Sequence, residues 1–105
     1  MSRVQTAATA LLATGRATQA DMQALLNEVG YEAIPIDGRD AVGDFDEPIA
    51  LCLVDLRENG EALRIARAVR MRHPETIVIG LADPSRPHAS AEAIRAGVFD
   101  VLPRP

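Results

Sequence analysis

An unbroken apolar run from Ile49 to Val54 ends in a single carboxylate, Asp55, and this pattern constrains the fold more than any other feature of the chain. A strand in a parallel sheet has this continuous hydrophobic character, because helices cover both faces of such a sheet. A polar turn, 57–60, and a helical stretch follow at once. Since open α/β sheets bind their ligands at the carboxyl ends of their strands, the sequence places Asp55 where function is expected.

The rest of the chain alternates between strand and helix patterns. Strands are predicted at 7–14, 31–36, 49–55, 76–82 and 99–102, and helices from near Thr18 to 29 and at 39–46, 61–73 and 90–96. Gly30, Pro74 and Gly97 are predicted to end helices, because glycine favours the cap conformation and proline cannot continue a helix. This alternation predicts a parallel, doubly wound sheet formed by residues 7–105, after a short tail at 1–6.

Two of the predicted helices have an apolar stripe at helical spacing. The stripe residues, which we expect to face the sheet, are Met22, Leu25, Leu26 and Val29 in the first helix and Ala62, Ile65, Ala66 and Val69 in the third. The last predicted strand is followed by no helix, so part of one sheet face is expected to be bare. A longer chain or a second chain would cover it.

The composition limits the classes of partner. With 105 residues, 48% of them hydrophobic, the chain suits one domain, and its net charge of -4 gives no general attraction to nucleic acid or anionic membranes. No apolar run approaches the roughly 20 residues of a membrane-spanning helix. We therefore expect a protein partner. The lone Cys52, which is predicted to be a buried small hydrophobe, allows no internal disulfide and fits a reduced cytoplasmic setting.

The order of the elements resembles the response-regulator receiver domain over residues 7–105. The segments that carry the resemblance are Leu53-Val54-Asp55-Leu56, Gly30-Tyr31-Glu32, and the closing phrase AIRAGVFDVLPRP, which is most similar to receivers of NtrC-type transcriptional activators. The resemblance implies a flavodoxin-like five-stranded parallel sheet in the order 2-1-3-4-5, with the final helix absent from the chain. It also implies a non-enzymatic module of a bacterial two-component or transcriptional regulator.

In this family, the aspartate that matches Asp55 accepts a phosphoryl group from a histidine kinase, helped by a divalent cation. The supporting positions depart from the family here: residues 13–15 carry no acidic pair, Ala82 replaces a hydroxyl, Val101 replaces an aromatic switch, and Arg104 replaces a lysine. The turn after Asp55 is also one residue shorter and lacks the usual proline. Because phosphoryl transfer depends on electrostatic stabilisation, these departures indicate a degenerate receiver, or pseudo-receiver.

Asp55 is accordingly predicted to be a paired structural charge, with Arg104 or Arg57 as its partner. Asp83, just past the fourth strand, is a candidate replacement for a lost metal ligand, although a solvated loop acid is the default interpretation. No cofactor is expected, and magnesium only if Asp55 is phosphorylated. The arginines of the third helix, Arg64, Arg67, Arg70 and Arg72, lie opposite its apolar stripe and are predicted to face solvent.

Three functions remain open at this point. The favoured one is a signalling module that binds a protein or forms a dimer without efficient phosphorylation. The second is a working phosphoacceptor, modified on Asp55 by a histidine kinase, with a cation site that uses Asp83. The third is a small-molecule-binding α/β module, although Arg57 stands where a cobalamin-binding signature has histidine, and Gly15 belongs to no phosphate-binding loop.

Overall fold

The computed structural model describes residues 8–103, except for the side chains of residues 39 and 40. Its elements are β1 (Ala8–Ala13), α1 (Arg16–Glu28), β2 (Tyr31–Pro35), a 3-10 helix (Arg39–Asp44), β3 (Leu51–Asp55), α2 (Ala62–Arg72), β4 (Ile77–Leu81), α3 (His88–Arg95) and β5 (Asp100–Leu102). The strands form one five-stranded sheet in the order β2-β1-β3-β4-β5, and all neighbouring strands are parallel. The expected flavodoxin-like fold and strand order are confirmed.

The ends of several elements differ from those expected from the sequence. Gly15, not a residue near Thr18, precedes the first residue of α1, and Thr18 lies buried inside the first turn of that helix. The segment predicted as a weak helix at 39–46 is a 3-10 helix that ends at Asp44. Gly30 and Gly97 follow α1 and α3 with φ angles of 100° and 106°, as expected of residues that end helices.

The larger part of the core lies between the sheet and the helices α2 and α3. Alternate strand residues, including Leu11, Cys52, Val54 and Val78, pack there against α2 and the 3-10 helix. The predicted inward stripe of α2 is confirmed, since Ala62, Ile65, Ala66 and Val69 are all buried. This packing holds β3 in the centre of the sheet and fixes the position of its last residue, Asp55.

The opposite face of the sheet is only partly covered. A smaller cluster forms there from Leu12, Leu53 and Leu81 of the sheet with Met22 of α1, and among the described helices α1 alone contributes to it. The predicted inward stripe of α1 is partly wrong, because Leu25 is 52% exposed and Val29 is 70% exposed. On the strands, Ile77 and Leu102 are 49% and 44% exposed. We call these four side chains, Leu25, Val29, Ile77 and Leu102, the open face.

Candidate functional site

Asp55 is the last residue of β3 and is fully buried. Its Oδ1 atom accepts hydrogen bonds from the backbone N–H groups of Arg57, at 3.0 Å, and of Glu58, at 3.1 Å. An aspartate whose side chain accepts from the backbone two or three residues later forms a tight local turn. The β3–α2 turn therefore holds one carboxylate oxygen of Asp55 in place.

The same turn carries a second carboxylate to the end of β1. The hydroxyl of Thr18 donates a hydrogen bond of 3.0 Å to Oε1 of Glu58. Glu58 also packs so closely on Gly15 that a Cβ atom at Gly15 would lie 2.6 Å from the Cβ of Glu58. The sequence has no carboxylate at residues 13–15, and Glu58 brings one there from a distant segment.

Sequence reasoning did not identify Glu58 as a site residue. The available signals were Gly15, which leaves room for a neighbouring side chain, and Thr18, which carries a hydroxyl in the first turn of α1. Neither signal names the partner, because Thr18 and Glu58 are 40 residues apart in the chain. A pattern of local spacing does not relate such residues.

Asp83 lies just after β4 and is also buried, at 7% exposure, so the default interpretation as a solvated loop acid is wrong. Its Oδ1 accepts hydrogen bonds from the hydroxyl of Ser85, at 2.6 Å, and from the backbone N–H of Ser85, at 3.0 Å. The Ser85 hydroxyl and, to a smaller extent, its backbone N–H and the guanidinium groups of Arg86 and Arg57 hold the pKa of Asp83 below its usual value, against the opposing effect of burial. Asp83 is thus a charged, locally paired carboxylate.

Of the other supporting positions, Ala82 directly follows β4 and Val101 lies within β5. The backbone N–H of Leu56 donates to the carbonyl oxygen of Leu81 at 3.0 Å, which brings the residue after Asp55 next to the residue before Ala82. Ala82 itself binds β5 through its backbone N–H, which donates to Leu102 at 2.8 Å. Val101 is half-buried against the larger core cluster. Its side chain packs against the core and stays partly exposed.

Two predictions about arginine partners of Asp55 have different outcomes. Arg57 contributes its backbone N–H to Asp55, and its guanidinium acts on Asp83. Arg104 lies outside the described residues, so its pairing with Asp55 stays a prediction. Within residues 8–103, His, Cys, Asp and Glu form no group of three or more that could hold a metal ion. A metal role for Asp83 also stays a prediction.

Cys52 is the second residue of β3 and has no exposed surface. Burial raises the pKa of its thiol to about 12. Because the thiolate is the nucleophilic form of cysteine, this side chain has the character of a small hydrophobe, as the sequence indicated. None of the helices in the described part of the chain is both long and apolar enough to cross a membrane.

Comparison with known proteins gives one curated relative and many solved structures. No protein-family model matches the sequence. The chain is 35% identical over 60 residues to the response regulator protein PilR of Pseudomonas aeruginosa, and the match covers 56% of this chain but 14% of PilR. A response regulator from Thermotoga maritima superimposes with a TM-score of 0.74 at 25% identity, over 94% of this chain and 86% of that chain. NtrX from Brucella abortus superimposes with a TM-score of 0.76 at 19% identity, over 96% of this chain and 24% of NtrX.

Proposed function

We propose that this chain, a receiver domain of the two-component response-regulator type, signals through protein contacts without efficient phosphorylation of Asp55. The observation that carries the proposal is that two carboxylates close to the carboxyl ends of the strands, those of Glu58 and Asp83, already accept hydrogen bonds from side-chain hydroxyls. Glu58 accepts a hydrogen bond from Thr18, and Asp83 accepts two from Ser85. A cation would have to compete with these hydrogen bonds for its ligands.

The chemistry of phosphoryl transfer explains why a poorly bound cation would slow the modification of Asp55. The transferred group carries negative charge on its oxygens, and catalysis depends on cations and hydrogen-bond donors placed to stabilise that charge. Ala82 offers no hydroxyl at the end of β4, where the family has a donor. Removing a single well-placed donor from an active site costs roughly 3 to 4 kcal/mol of transition-state stabilisation. A site that lacks both the donor and a ready set of cation ligands should transfer phosphate slowly.

A working phosphoacceptor is the second candidate, and Glu58 is the observation that favours it. The Glu58 carboxylate lies against Gly15 at the end of β1, the part of the fold where receivers carry their acidic pair. If it released Thr18, its oxygens would be available to a hard cation such as magnesium. On this alternative, Asp55 is the residue that is modified.

Incubation with acetyl phosphate and magnesium, followed by intact-mass analysis, tests the proposal. We expect no stable adduct on the wild-type chain under conditions that label a receiver with both acidic residues. The variant Thr14→Asp/Ala82→Thr, which restores one acidic residue and the hydroxyl, should gain an adduct that Asp55→Asn removes. A wild-type adduct that disappears in both Asp55→Asn and Glu58→Gln would establish the second candidate instead.

The partner in the favoured function is a protein, and we propose a second copy of this chain as one such partner. The support is the open face, whose four apolar side chains are each 44% exposed or more. Large apolar patches on a protein surface commonly mark interaction sites. Because the chain matches only 14% of PilR, its role inside a longer transcriptional regulator is also part of the proposal.

A further inference from the structure

Four arginines from three separate segments line one cleft beside the β3–α2 turn. Arg57 comes from that turn, Arg64 and Arg67 come from α2, and Arg86 comes from the loop between β4 and α3. The cleft has a volume of about 370 Å³. We call it the arginine cleft.

The arginine cleft has an apolar floor and a polar rim. Leu56, Ala62 and Ala89 line it and are 6%, 3% and 5% exposed, so they belong to the packed interior. The four arginines are exposed around this floor. The residues of the floor are part of the packed core, and the arginine side chains stand at its edge. The shape of the cleft is therefore set by the core and not by the exposed side chains alone.

Few hydrogen bonds or salt bridges within the described residues engage the arginines of the cleft, although the guanidinium groups of Arg57 and Arg86 also act electrostatically on Asp83. Arg64 forms a salt bridge of 2.9 Å with Glu61, whereas the guanidinium groups of Arg57, Arg67 and Arg86 form no hydrogen bond or salt bridge within residues 8–103. Among the described residues that line the cleft, Glu92 is the one that is acidic. The chain as a whole has a net charge of -4, so the positive charge of the cleft is opposite in sign to the net charge of the molecule. Like charges held together repel, and an anion placed among them is attracted.

The type and number of the cations indicate the type of anion. A guanidinium group presents its N–H donors in a planar fork that matches the oxygens of phosphate, and it binds them in pairs. Three guanidinium groups that donate no hydrogen bond within residues 8–103 supply more donors than one phosphate accepts. A volume of about 370 Å³ is that of a small-molecule site, since such pockets measure roughly 300 to 1,000 Å³. The cleft also lies at the carboxyl ends of the strands, where open α/β sheets bind ligands.

We propose that the arginine cleft binds a small molecule that carries two or more linked phosphate groups. Nucleoside di- and triphosphates and inorganic polyphosphates share this chemistry. Arg57, Arg67 and Arg86 would contact the phosphate oxygens, and the apolar floor would exclude water beneath them. This site goes beyond the proposed signalling function and does not require that Asp55 be modified.

Isothermal titration of the 105-residue chain with sodium tripolyphosphate and with ATP, each in a low-salt buffer with a chelator, tests the proposal. We expect both to bind with a stoichiometry of one, and the affinity to fall as salt is added. The variant Arg67→Gln/Arg86→Gln should bind at least about tenfold more weakly, because it removes two charge-assisted contacts. Tighter binding of ATP would indicate a nucleotide, and equal binding would indicate that the phosphate chain alone is recognised.

The matched control is Arg16→Gln/Arg95→Gln, which makes the same change in net charge at exposed positions outside the cleft. When the salt concentration is raised to about 0.15 M, where exposed charges more than roughly 8 Å apart are largely screened, it should keep the wild-type affinity to within about twofold. The titration contains no phosphodonor, so it measures binding to the cleft without any modification of Asp55. Equal losses in the two arginine pairs, no binding of either phosphate compound, or tighter binding of a polyglutamate peptide than of tripolyphosphate would overturn the proposal.

Discussion

At the scale of single residues, the carboxylates of Asp55 and Asp83 are held by short hydrogen bonds from residues two or three positions later. Asp55 accepts from the backbone of its own turn, and Asp83 accepts from the hydroxyl and the backbone of Ser85. Hydrogen bonds to a charged carboxylate favour the ionised form, so those that Ser85 donates to Asp83 link the stability of the fold to pH. Asp83 is the residue at which this link is clearest.

The lowered pKa of Asp83 predicts an acid-sensitive contribution to stability. A carboxylate whose pKa is lower in the folded state stabilises the fold above its unfolded value, about 3.9, and this contribution is lost as the pH falls through the folded value. Asp83→Asn should therefore be less stable than the wild type at pH 7, and the difference should shrink as the pH falls below about 4. Denaturant midpoints measured between neutral and acidic pH check this prediction.

The control for Asp83 is Asp21→Asn, which removes the same charge from an exposed position on α1. It separates the loss of the Ser85 hydrogen bonds from the general effect of one less negative charge. If the wild type and Asp83→Asn lose stability in parallel as the pH falls, the hydrogen bonds to Ser85 do not stabilise the charged form.

At the scale of elements, β3 and β4 are joined by a side chain as well as by the strand ladder. The hydroxyl of Thr76, just before β4, donates a hydrogen bond of 2.6 Å to the carbonyl oxygen of Ile49, two residues before β3. Thr76 is 4% exposed, so water does not easily replace this contact. The bond therefore fixes the approach of the chain to both central strands.

Replacing Thr76 with valine keeps the shape of the side chain and removes the hydrogen bond. The Ile49 carbonyl would lose this partner in a buried place, and we expect Thr76→Val to lower the free energy of unfolding by about 1 to 3 kcal/mol. Thr76→Ser keeps the hydroxyl, and its cost should be near that of one lost methyl group, about 1 kcal/mol. Urea denaturation of the two variants measures the difference. A valine variant as stable as the serine variant would mean that the bond contributes little.

At the scale of the whole molecule, the two faces of the sheet are covered unequally. One face carries α2, α3 and the 3-10 helix over the larger core cluster, whereas α1 is the helix that packs on the other face in the described part of the chain. Leu25 and Val29 lie one turn apart on α1 and are more than half exposed. Ile77 and Leu102, on the strands, are also exposed, at 49% and 44%. Removing such an apolar surface from water lowers the free energy of the system.

We predict that the 105-residue chain self-associates through the open face. Light scattering over a range of concentrations should show a mass above that of the monomer, and Leu25→Gln/Val29→Gln should shift the chain toward the monomer, since both substitutions replace exposed apolar groups. Met71→Gln is the matched control, because Met71 lies on α2, away from the open face, and is 84% exposed. A wild-type chain that stays monomeric at all concentrations would contradict the prediction.

The sequence by itself determined the order of the elements, because that order depends on local physics. A continuous apolar run marks β3, apolar spacing marks the inward residues of α2, and Gly30 and Gly97 take positive φ angles after α1 and α3. The parallel sheet follows from strands that alternate with helices. The position of Asp55 at the end of the central strand could therefore be predicted from the residues around it.

Only the tertiary structure decided which distant side chains meet. Thr18 was expected to cap α1, yet its hydroxyl binds Glu58, 40 residues away. Arg64 and Arg67 face solvent as expected, but the sequence pattern did not indicate that they line one cleft with Arg57 and Arg86. The periods of helices and strands fix the face on which a residue lies but not the residue opposite it. That pairing depends on how the turns after β3 and β4 pack together, and this packing is a property of the whole fold.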